Sequence, residues 1–267
     1  MKLRTLFIVL CVPLLLMLQS SAQDCGRRRT SRIVGGVNTG VNEFTMMAGI
    51  VADNSAVYCG GTILANYYVL TAAHCVAGRN PASLKVLVGD WDYSIGADTS
   101  FAAVYLVQRC NIYPGYNPNT NTNDIAIITT QRSIVYNVAV GPVCLPPTNL
   151  LFTGSTVEAV GWGSTEFGGP KSTVLKKVQI GVISNDDCRR TYSYISNSHL
   201  CTYGSNGRDS CQFDSGGPVY YMLNGRVNLV GIIIGGIGCA GNYPSINTRV
   251  TTFVSWIRQN TPGAVYY

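Results

Sequence analysis

The recurrence of short apolar runs is the feature that most constrains the fold of this chain. Runs of five to eight residues alternate with clusters of Gly, Asn and Pro, among them YYVLTAA, KVLVG, DIAIITT, TVEAVGWG and NLVGIII. Runs of this length, bounded by turn-forming residues, predict β-strands, and their spacing predicts an all-β sandwich or barrel. Residues 251–260 instead place Phe253, Val254 and Ile257 at helical spacing, which predicts one short C-terminal helix.

The first 22 residues predict a secretory signal peptide. Lys2 and Arg4 precede an apolar run over residues 6–18, and small residues lead up to a cleavage site after Ala22. A membrane anchor needs roughly 18 or more consecutive apolar residues, whereas this run is shorter and is broken by Pro13. We therefore expect a secreted, extracellular protein that is not attached to a membrane.

Export places the cysteines in an oxidising compartment, where disulfides are favoured over metal sites. Cys11 would leave with the signal peptide, and the nine cysteines that remain are an odd number. At least one thiol must therefore stay free, pair with another molecule or be lost in a further processing step.

The basic residues are concentrated near the amino terminus. Six of the 19 Lys and Arg residues precede Ile33, which leaves 13 basic and 12 acidic residues in the 235 residues that follow. This near-neutral body has no clustered basic face, so nucleic acid is excluded as an expected partner.

Two histidines are the candidates for a general base near neutral pH. His74, in LTAAHC, ends an apolar run and directly precedes Cys75, so a strand end and a disulfide would fix its imidazole. His199, in SNSHLC, lies among polar turn residues and is interpreted as a surface histidine. Ser215, in SCQFDSGGP, is the candidate nucleophile. Asp124, in NTNDIAII, is either the carboxylate that orients the histidine or an ordinary turn or strand-edge aspartate.

Seven segments across essentially all of residues 33–260 resemble the chymotrypsin family of serine endopeptidases. They are RIVGG from Arg32, CGGTIL from Cys59, LTAAHC from Leu70, DIAI from Asp124, GWG from Gly161, DSGGP from Asp214 and YPSINTRV from Tyr243. The resemblance implies an all-β fold of two six-stranded antiparallel β-barrels with a short C-terminal helix and a catalytic cleft between the barrels. It divides the chain into a signal peptide (1–22), an activation propeptide (23–32) and a serine protease domain (33–267).

The resemblance also implies the roles of the site residues. Ser215 would attack the peptide carbonyl, His74 would take and return the proton, and Asp124 would orient His74. Backbone N–H groups of Phe213 and Ser215 would hold the oxyanion. Asp209 would lie at the base of the specificity pocket and select Arg or Lys before the scissile bond, unless it is a solvated loop aspartate.

Activation and disulfides follow from the same family pattern. Cleavage between Arg32 and Ile33 would create an amino terminus that pairs with Asp214, so the uncut zymogen should be nearly inactive. The expected bridges are Cys59–Cys75, Cys188–Cys201, Cys211–Cys239 and Cys25–Cys144, of which the last would tether the propeptide. Cys110 is left over, either as a small buried hydrophobe or as a thiol that competes for Cys25 or pairs with another chain.

Five positions near the expected cleft bear on substrate preference, and four of them depart from the family pattern. Ile234 stands where a serine usually donates to the triad acid, Gly235 removes an aromatic wall beside Gly236, and Ser245 should narrow the specificity pocket. Phe213 replaces a glycine. Either its peptide flips and loses an oxyanion donor, or its ring blocks bulky partners on the leaving-group side, and the intact triad favours the second.

We expect no cofactor and no metal. Asp90, Asp92 and Asp98 stand roughly where trypsins bind calcium, but the loop is shorter and lacks their glutamates, so these are interpreted as ordinary surface acids. The expected partners of a monomeric enzyme are peptide or protein substrates, an activating protease and protein inhibitors.

Two functions compete. The first is a secreted zymogen of an endopeptidase that cleaves after Arg or Lys, and the second is a catalytically impaired protease homologue that acts as a binding or cofactor protein. The intact His, Asp and Ser favour the enzyme. The segments CTYGSNGRDSCQFDSGGP and IGCAGNYPSINTRVT are most similar to arthropod venom, salivary or haemolymph members of the family.

Overall fold

The fold consists of two closed antiparallel β-barrels and three short helices among the residues described. A computed structural model describes residues 25–29, 37–53, 56–164, 169–204, 215–236 and 243–266. The strands are β1 (Val37–Asn38), β2 (Met47–Ala52), β3 (Val57–Ala65), β4 (Tyr68–Thr71), β5 (Leu84–Val88), β6 (Ala103–Ile112), β7 (Ala126–Thr130), β8 (Thr156–Gly161), β9 (Lys176–Val182), β10 (His199–Tyr203), β11 (Pro218–Leu223), β12 (Arg226–Gly236) and β13 (Ser245–Arg249). The helices are α1 (Ala73–Val76), α2 (Asn185–Arg189) and α3 (Val250–Gln259).

Each barrel closes through six strands. The first has the order β2-β3-β4-β7-β6-β5, with β5 returning to β2. The second has the order β9-β10-β13-β12-β11-β8, with β8 returning to β9. The short strand β1 pairs with the first two residues of β9. The predicted fold class of two six-stranded antiparallel barrels with a short C-terminal helix is thereby confirmed. The apolar runs alone do not distinguish a sandwich from a barrel, because closure depends on pairings between distant strands.

The burial of the strands explains the apolar runs. Strands β4 and β7 are buried along their whole length, so both of their faces need apolar or hydrogen-bonded side chains. Strand β6 instead alternates: Tyr105 and Val107 are buried, whereas Val104 and Leu106 are about half exposed. The first barrel therefore presents one face of β6 to solvent.

Helix α3 ties the end of the chain to the first barrel. Phe253 and Trp256 pack edge-on against the Tyr113 ring, at centroid distances of 5.0 and 5.3 Å. Asn111 Nδ2 donates to Asn260 Oδ1 at 2.8 Å. Because α3 follows the last strand of the second barrel, these contacts fix the barrels against each other. None of the helices in the described part of the chain is long and apolar enough to cross a membrane.

Three disulfides lie within the described residues: Cys25–Cys144, Cys59–Cys75 and Cys188–Cys201. They coincide with three of the four pairs that the family resemblance implied, and Cys211 and Cys239 lie outside the described residues. Cys25 is bonded to Cys144, so Cys110 does not compete for it here. Cys110 is a free, half-buried thiol on β6, and burial raises its pKa to about 11, which suppresses the thiolate at neutral pH.

Residues 25–29 dock on the body through a buried ion cluster as well as through the disulfide. Arg28 Nε donates to Glu43 Oε1 at 2.9 Å, and Arg28 Nη1 lies 2.8 Å from Glu158 Oε2. Lys177 Nζ donates to the same Glu43 oxygen at 2.6 Å. The Glu43 side chain is fully buried, and although burial opposes its charge, the hydrogen bonds from Lys177, the Gly40 N–H and Arg28 hold its pKa below the ordinary value.

Glu43→Ala should strongly destabilise the protein. The substitution leaves the buried Lys177 ammonium without its carboxylate, and removing one partner of a buried pair costs about 3–5 kcal/mol. Chemical denaturation measures the change in the free energy of unfolding. Asp186→Ala is the matched control, because Asp186 forms an exposed ion pair with Arg189, and its removal should leave stability nearly unchanged. Equal effects of the two substitutions would contradict the buried cluster.

Candidate active site

A buried carboxylate orients an imidazole on the first barrel. His74 lies on α1, directly after β4, and Asp124 precedes β7, to which β4 is paired. His74 Nδ1 and Asp124 Oδ2 are 2.6 Å apart, and the His74 backbone N–H donates to Asp124 Oδ1 at 2.9 Å. The Asp124 side chain is fully buried, whereas that of His74 is 30% exposed. With its Nδ1–H held by the carboxylate, the neutral imidazole presents Nε2 as the basic nitrogen.

The second barrel holds the backbone of this aspartate. Thr248 Oγ1, on β13, donates to the Asp124 carbonyl oxygen at 2.7 Å, and both residues are buried. Asn121 and Asn123, in the loop before Asp124, have φ of 49° and 57°. Asparagine tolerates this left-handed conformation better than other side chains with a Cβ, so the NTND sequence suits the turn.

His199 braces the same loop, and its interpretation as a surface histidine is wrong. It is fully buried at the start of β10. The Ser196 N–H donates to His199 Nδ1 at 3.0 Å, which leaves Nε2 to donate to the Asn121 carbonyl at 3.3 Å. Burial lowers the pKa of His199 and keeps the ring neutral. The polar residues of SNSHLC form the turn before the strand, and His199 begins a strand whose first four residues are all buried. No local pattern in the sequence indicates this burial.

Ser215 lies where the second barrel crosses the first. The Gly60 N–H, on β3, donates to the Ser215 carbonyl at 2.8 Å. A Cβ on Gly60 would lie 2.6 Å from Gly217 Cα, and a Cβ on Gly216, whose φ is 79°, would lie 2.6 Å from the Gly60 carbonyl. Gly60 of CGG and Gly216 of SGG are therefore required by the close approach of two backbones.

The Cys59–Cys75 disulfide lies between the serine turn and the imidazole. Cys75 Sγ is 3.6 Å from the Ser215 carbonyl oxygen and 3.6 Å from His74 Nε2. The structure thus brings His74, Asp124 and Ser215 to one place, although they come from three distant segments.

Some of the other predicted site residues lie within the described part of the chain, and the rest lie outside it. Gly236 at the end of β12 pairs with Ser245 at the start of β13, and a Cβ on Gly236 would lie 3.3 Å from Ser245 Oγ. Gly236 is exposed, whereas Ser245 and Ile234 are buried. Arg32, Ile33, Asp209, Phe213 and Asp214 lie outside the described residues.

The described residues offer one cluster of potential metal ligands, formed by Cys59, His74 and Cys75. Both sulfurs belong to a disulfide and are therefore not thiolate ligands. In the acidic loop, the Asp98 carboxylate accepts the N–H groups of Trp91 and Asp92, the latter at 2.6 Å.

Asp90 is buried, so its interpretation as a surface acid is wrong. Only 8% of the residue is exposed, and its Oδ1 has no hydrogen-bond partner among the described residues. Burial, reinforced by the hydrogen bond and negative charge of Asp98, raises the pKa of Asp90 to about 7. The folded protein therefore binds this proton more tightly than the unfolded chain does. As pH rises from about 4 to 7, ionisation of Asp90 lowers the free energy of unfolding.

Asp90→Asn should therefore raise the melting temperature at pH 8 and have little effect on it at pH 4, where the aspartate is already neutral. Thermal unfolding across this pH range measures the difference. Asp53→Asn removes the same charge from an exposed position and should change the melting temperature little at either pH. A pH-independent effect of Asp90→Asn would contradict the titration of a buried carboxyl.

Comparison with known proteins identifies the family. Residues 33–257 match the family model described as Trypsin. The chain is 40% identical over 252 residues to "Venom serine protease 34" of Apis mellifera, covering 91% of this chain and 62% of that relative, and therefore spans less than two thirds of its length. It is 40% identical to "Venom serine protease" of Polistes dominula over 91% of this chain and 90% of the relative. It is 38% identical to "Trypsin, alkaline A" of Manduca sexta over 86% and 91%. These matches confirm the resemblance, and the chain belongs to the trypsin family of serine endopeptidases.

Proposed function

We propose that this chain is the secreted zymogen of an endopeptidase that hydrolyses peptide bonds after Arg or Lys with His74, Asp124 and Ser215. The observation that carries the proposal is the buried Asp124 carboxylate bound to His74 Nδ1 at 2.6 Å, with the Ser215 carbonyl oxygen and His74 Nε2 each 3.6 Å from Cys75 Sγ. Among the described residues, Asp124 has no lysine or arginine partner. A carboxylate buried in this way is costly unless it stabilises an imidazolium, which is what the triad mechanism requires of it.

The proposed reaction uses the triad in two half-reactions. His74 Nε2 takes the proton of Ser215 Oγ as the oxygen attacks the substrate carbonyl, and Asp124 stabilises the imidazolium that forms. His74 then gives the proton to the leaving amine, which leaves an acyl-serine. Water, activated by His74, hydrolyses the ester and restores the serine. The oxyanion of both steps is held by the N–H groups of Phe213 and Ser215.

Specificity is assigned to Asp209 and its neighbours. A carboxylate at the base of the pocket is neutralised by a substrate guanidinium or ammonium, and this selects Arg or Lys. The contact between Gly236 and Ser245 supports a narrow pocket, because Ser245 Oγ occupies space that a glycine at position 245 would leave open.

Ile234 stands where a serine of the family usually donates a hydrogen bond to the triad aspartate, so other groups must hold Asp124 in place. Among the described residues, the hydrogen bonds to the Asp124 carboxylate both come from His74. Thr248 and His199 act on the backbone of Asp124 and of its loop instead. We assign these two residues to positioning, since they touch neither the substrate nor the reacting atoms.

Secretion and activation complete the proposal. Relatives named venom serine proteases and a relative named "CLIP domain-containing serine protease B4" of Anopheles gambiae, 32% identical, support an extracellular protease activated by another protease. The Cys25–Cys144 bond would keep the propeptide attached after cleavage between Arg32 and Ile33.

Activity should appear only after cleavage at Arg32, and only on peptide substrates with Arg or Lys before the scissile bond. The measurement is hydrolysis of matched substrates ending in Arg, Lys, Phe or Ala before and after activation. Ser215→Ala is the blank. If a folded, correctly cleaved sample hydrolyses none of these substrates, the proposed activity is wrong. The protein is then a catalytically impaired homologue that acts as a binding or cofactor protein.

Thr248→Val should lower kcat about tenfold with little change in KM. The isosteric substitution removes the donor to the buried Asp124 carbonyl, at a cost of about 1–3 kcal/mol, and lets the acid shift relative to His74. The pH dependence of kcat/KM should show a displaced acidic limb, which reports the His74–Asp124 pair. Thr252→Val is the control, since Thr252 donates to Asn197 O on the exposed side of α3. An unchanged kcat and pH profile would remove Thr248 from a positioning role.

A further inference from the structure

An exposed arginine with no described acidic partner follows the candidate base by five residues. The guanidinium carbon of Arg79 lies 4.4 Å from the centroid of the Tyr58 ring. Among the residues that the structure describes, no carboxylate forms an ion pair with Arg79. A guanidinium over an aromatic face is held there by a cation–π attraction. Arg79 therefore places a positive charge at a defined position on the surface.

Tyr58 connects this charge to the candidate catalytic residues. Its hydroxyl donates to the carbonyl oxygen of Cys75, the residue after His74, at 2.8 Å. Tyr58 also lies on β3, two residues before Gly60, whose N–H binds the Ser215 carbonyl. Two residues of a strand span about 7 Å, so the tyrosine backbone is close to the serine turn.

A β-bulge sets the direction of the Tyr58 side chain. In the pairing of β3 with β2, Cys59 is opposite Ile50 and Val57 is opposite Val51, which leaves Tyr58 as the extra residue. Such a bulge bends the strand and re-aims a side chain, and bulges are common beside active sites. The bulge therefore places the Tyr58 ring where it contacts both Arg79 and the carbonyl of Cys75.

The serine turn separates the two sides of the candidate cleft. The Gly216 N–H donates to the Ile233 carbonyl of β12 at 2.7 Å, whereas the Gly60 N–H of β3 donates to the Ser215 carbonyl at 2.8 Å. The specificity pocket of the proposed function is assigned to the end of β12, at Gly236. A substrate whose residue before the scissile bond enters that pocket would therefore extend the residues after the bond toward β3.

We propose that Arg79 selects substrates with an acidic residue among the first three positions after the scissile bond. The inference rests on the proposed function, because the assigned pocket defines which side of the cleft holds the leaving group. A guanidinium binds a carboxylate through two parallel hydrogen bonds, a geometry that no neutral side chain reproduces with the same strength. Three residues of an extended chain span about 10 Å, which covers the approach from Ser215 to Tyr58 and Arg79.

The preference should be modest in size and sensitive to salt. Ion pairs at exposed positions change affinity by up to about fivefold. The Tyr58 ring already restricts the guanidinium, so less side-chain freedom is lost when a carboxylate binds. We therefore expect a peptide with Glu to bind about three- to fivefold more tightly than its Gln counterpart at low ionic strength, and this ratio should fall as NaCl is added.

The test measures peptide binding to the Ser215→Ala protein after cleavage at Arg32. Labelled peptides carry Arg before the scissile bond, and each pair differs only by Glu or Gln at the first, second or third position after it. Fluorescence anisotropy gives the two affinities. At least one pair should show the preference for Glu, and Arg79→Gln should remove it. Because the protein is inactive, the result does not depend on whether the active enzyme hydrolyses these peptides.

Arg132→Gln is the matched control. Arg132 is likewise exposed, and its guanidinium carbon lies 4.9 Å from the centroid of the Tyr105 ring, but it follows the end of β7 opposite to Asp124. This variant should keep the preference for Glu. Four results would overturn the proposal: equal affinities for Glu and Gln at all three positions, no measurable binding of any peptide, a preference that persists in Arg79→Gln, or an equal loss of preference in Arg132→Gln.

Discussion

The close crossing of two glycine-rich backbones is the contact on which the site depends. Gly60 of the first barrel and Gly217 of the second approach so closely that a Cβ on Gly60 would overlap Gly217, and the Gly60 N–H binds the Ser215 carbonyl. Side chains at the crossing would push the barrels apart and separate the serine from His74. The geometry of the candidate site is thus set by backbone contact between the barrels, while each barrel closes through its own hydrogen-bond ladder.

Both barrels hold Asp124, the acidic residue of the candidate site, in position. Asp124 belongs to the first barrel, yet its carbonyl is held by Thr248 and its preceding loop by His199, both from the second. A buried carboxylate needs its position fixed, because a small movement changes both its hydrogen bond to His74 and its desolvation. The described hydrogen bonds to the Asp124 carboxylate come from His74, so the second barrel holds this acid through its backbone and not through the carboxylate.

The sequence predicts features that depend on local pattern or on motifs in register, and it fails where burial depends on distant partners. The C-terminal helix was placed within one residue, since its apolar spacing is local. The polar neighbours of His199 and the short, glutamate-free loop of Asp90 both favour surface positions, yet both residues are buried. Likewise, nothing adjacent to Glu43 in the sequence indicates that Arg28 and Lys177 converge on it, at separations of 15 and 134 residues.

The buried ion cluster around Glu43 is connected to the chain on both sides of the proposed cleavage point. Arg28 is fixed by Glu43 on one side of the cleavage site, and on the other side Val37 pairs with Lys177 of β9, which binds the same glutamate. A new amino terminus at Ile33 would be four residues from Val37. An extended chain spans at most about 3.6 Å per residue, so the ammonium can reach only to about 14 Å from β1. On both sides of the proposed cleavage point, the described chain is therefore linked to Glu43: Arg28 binds it directly, and β1 pairs with Lys177, which also binds it.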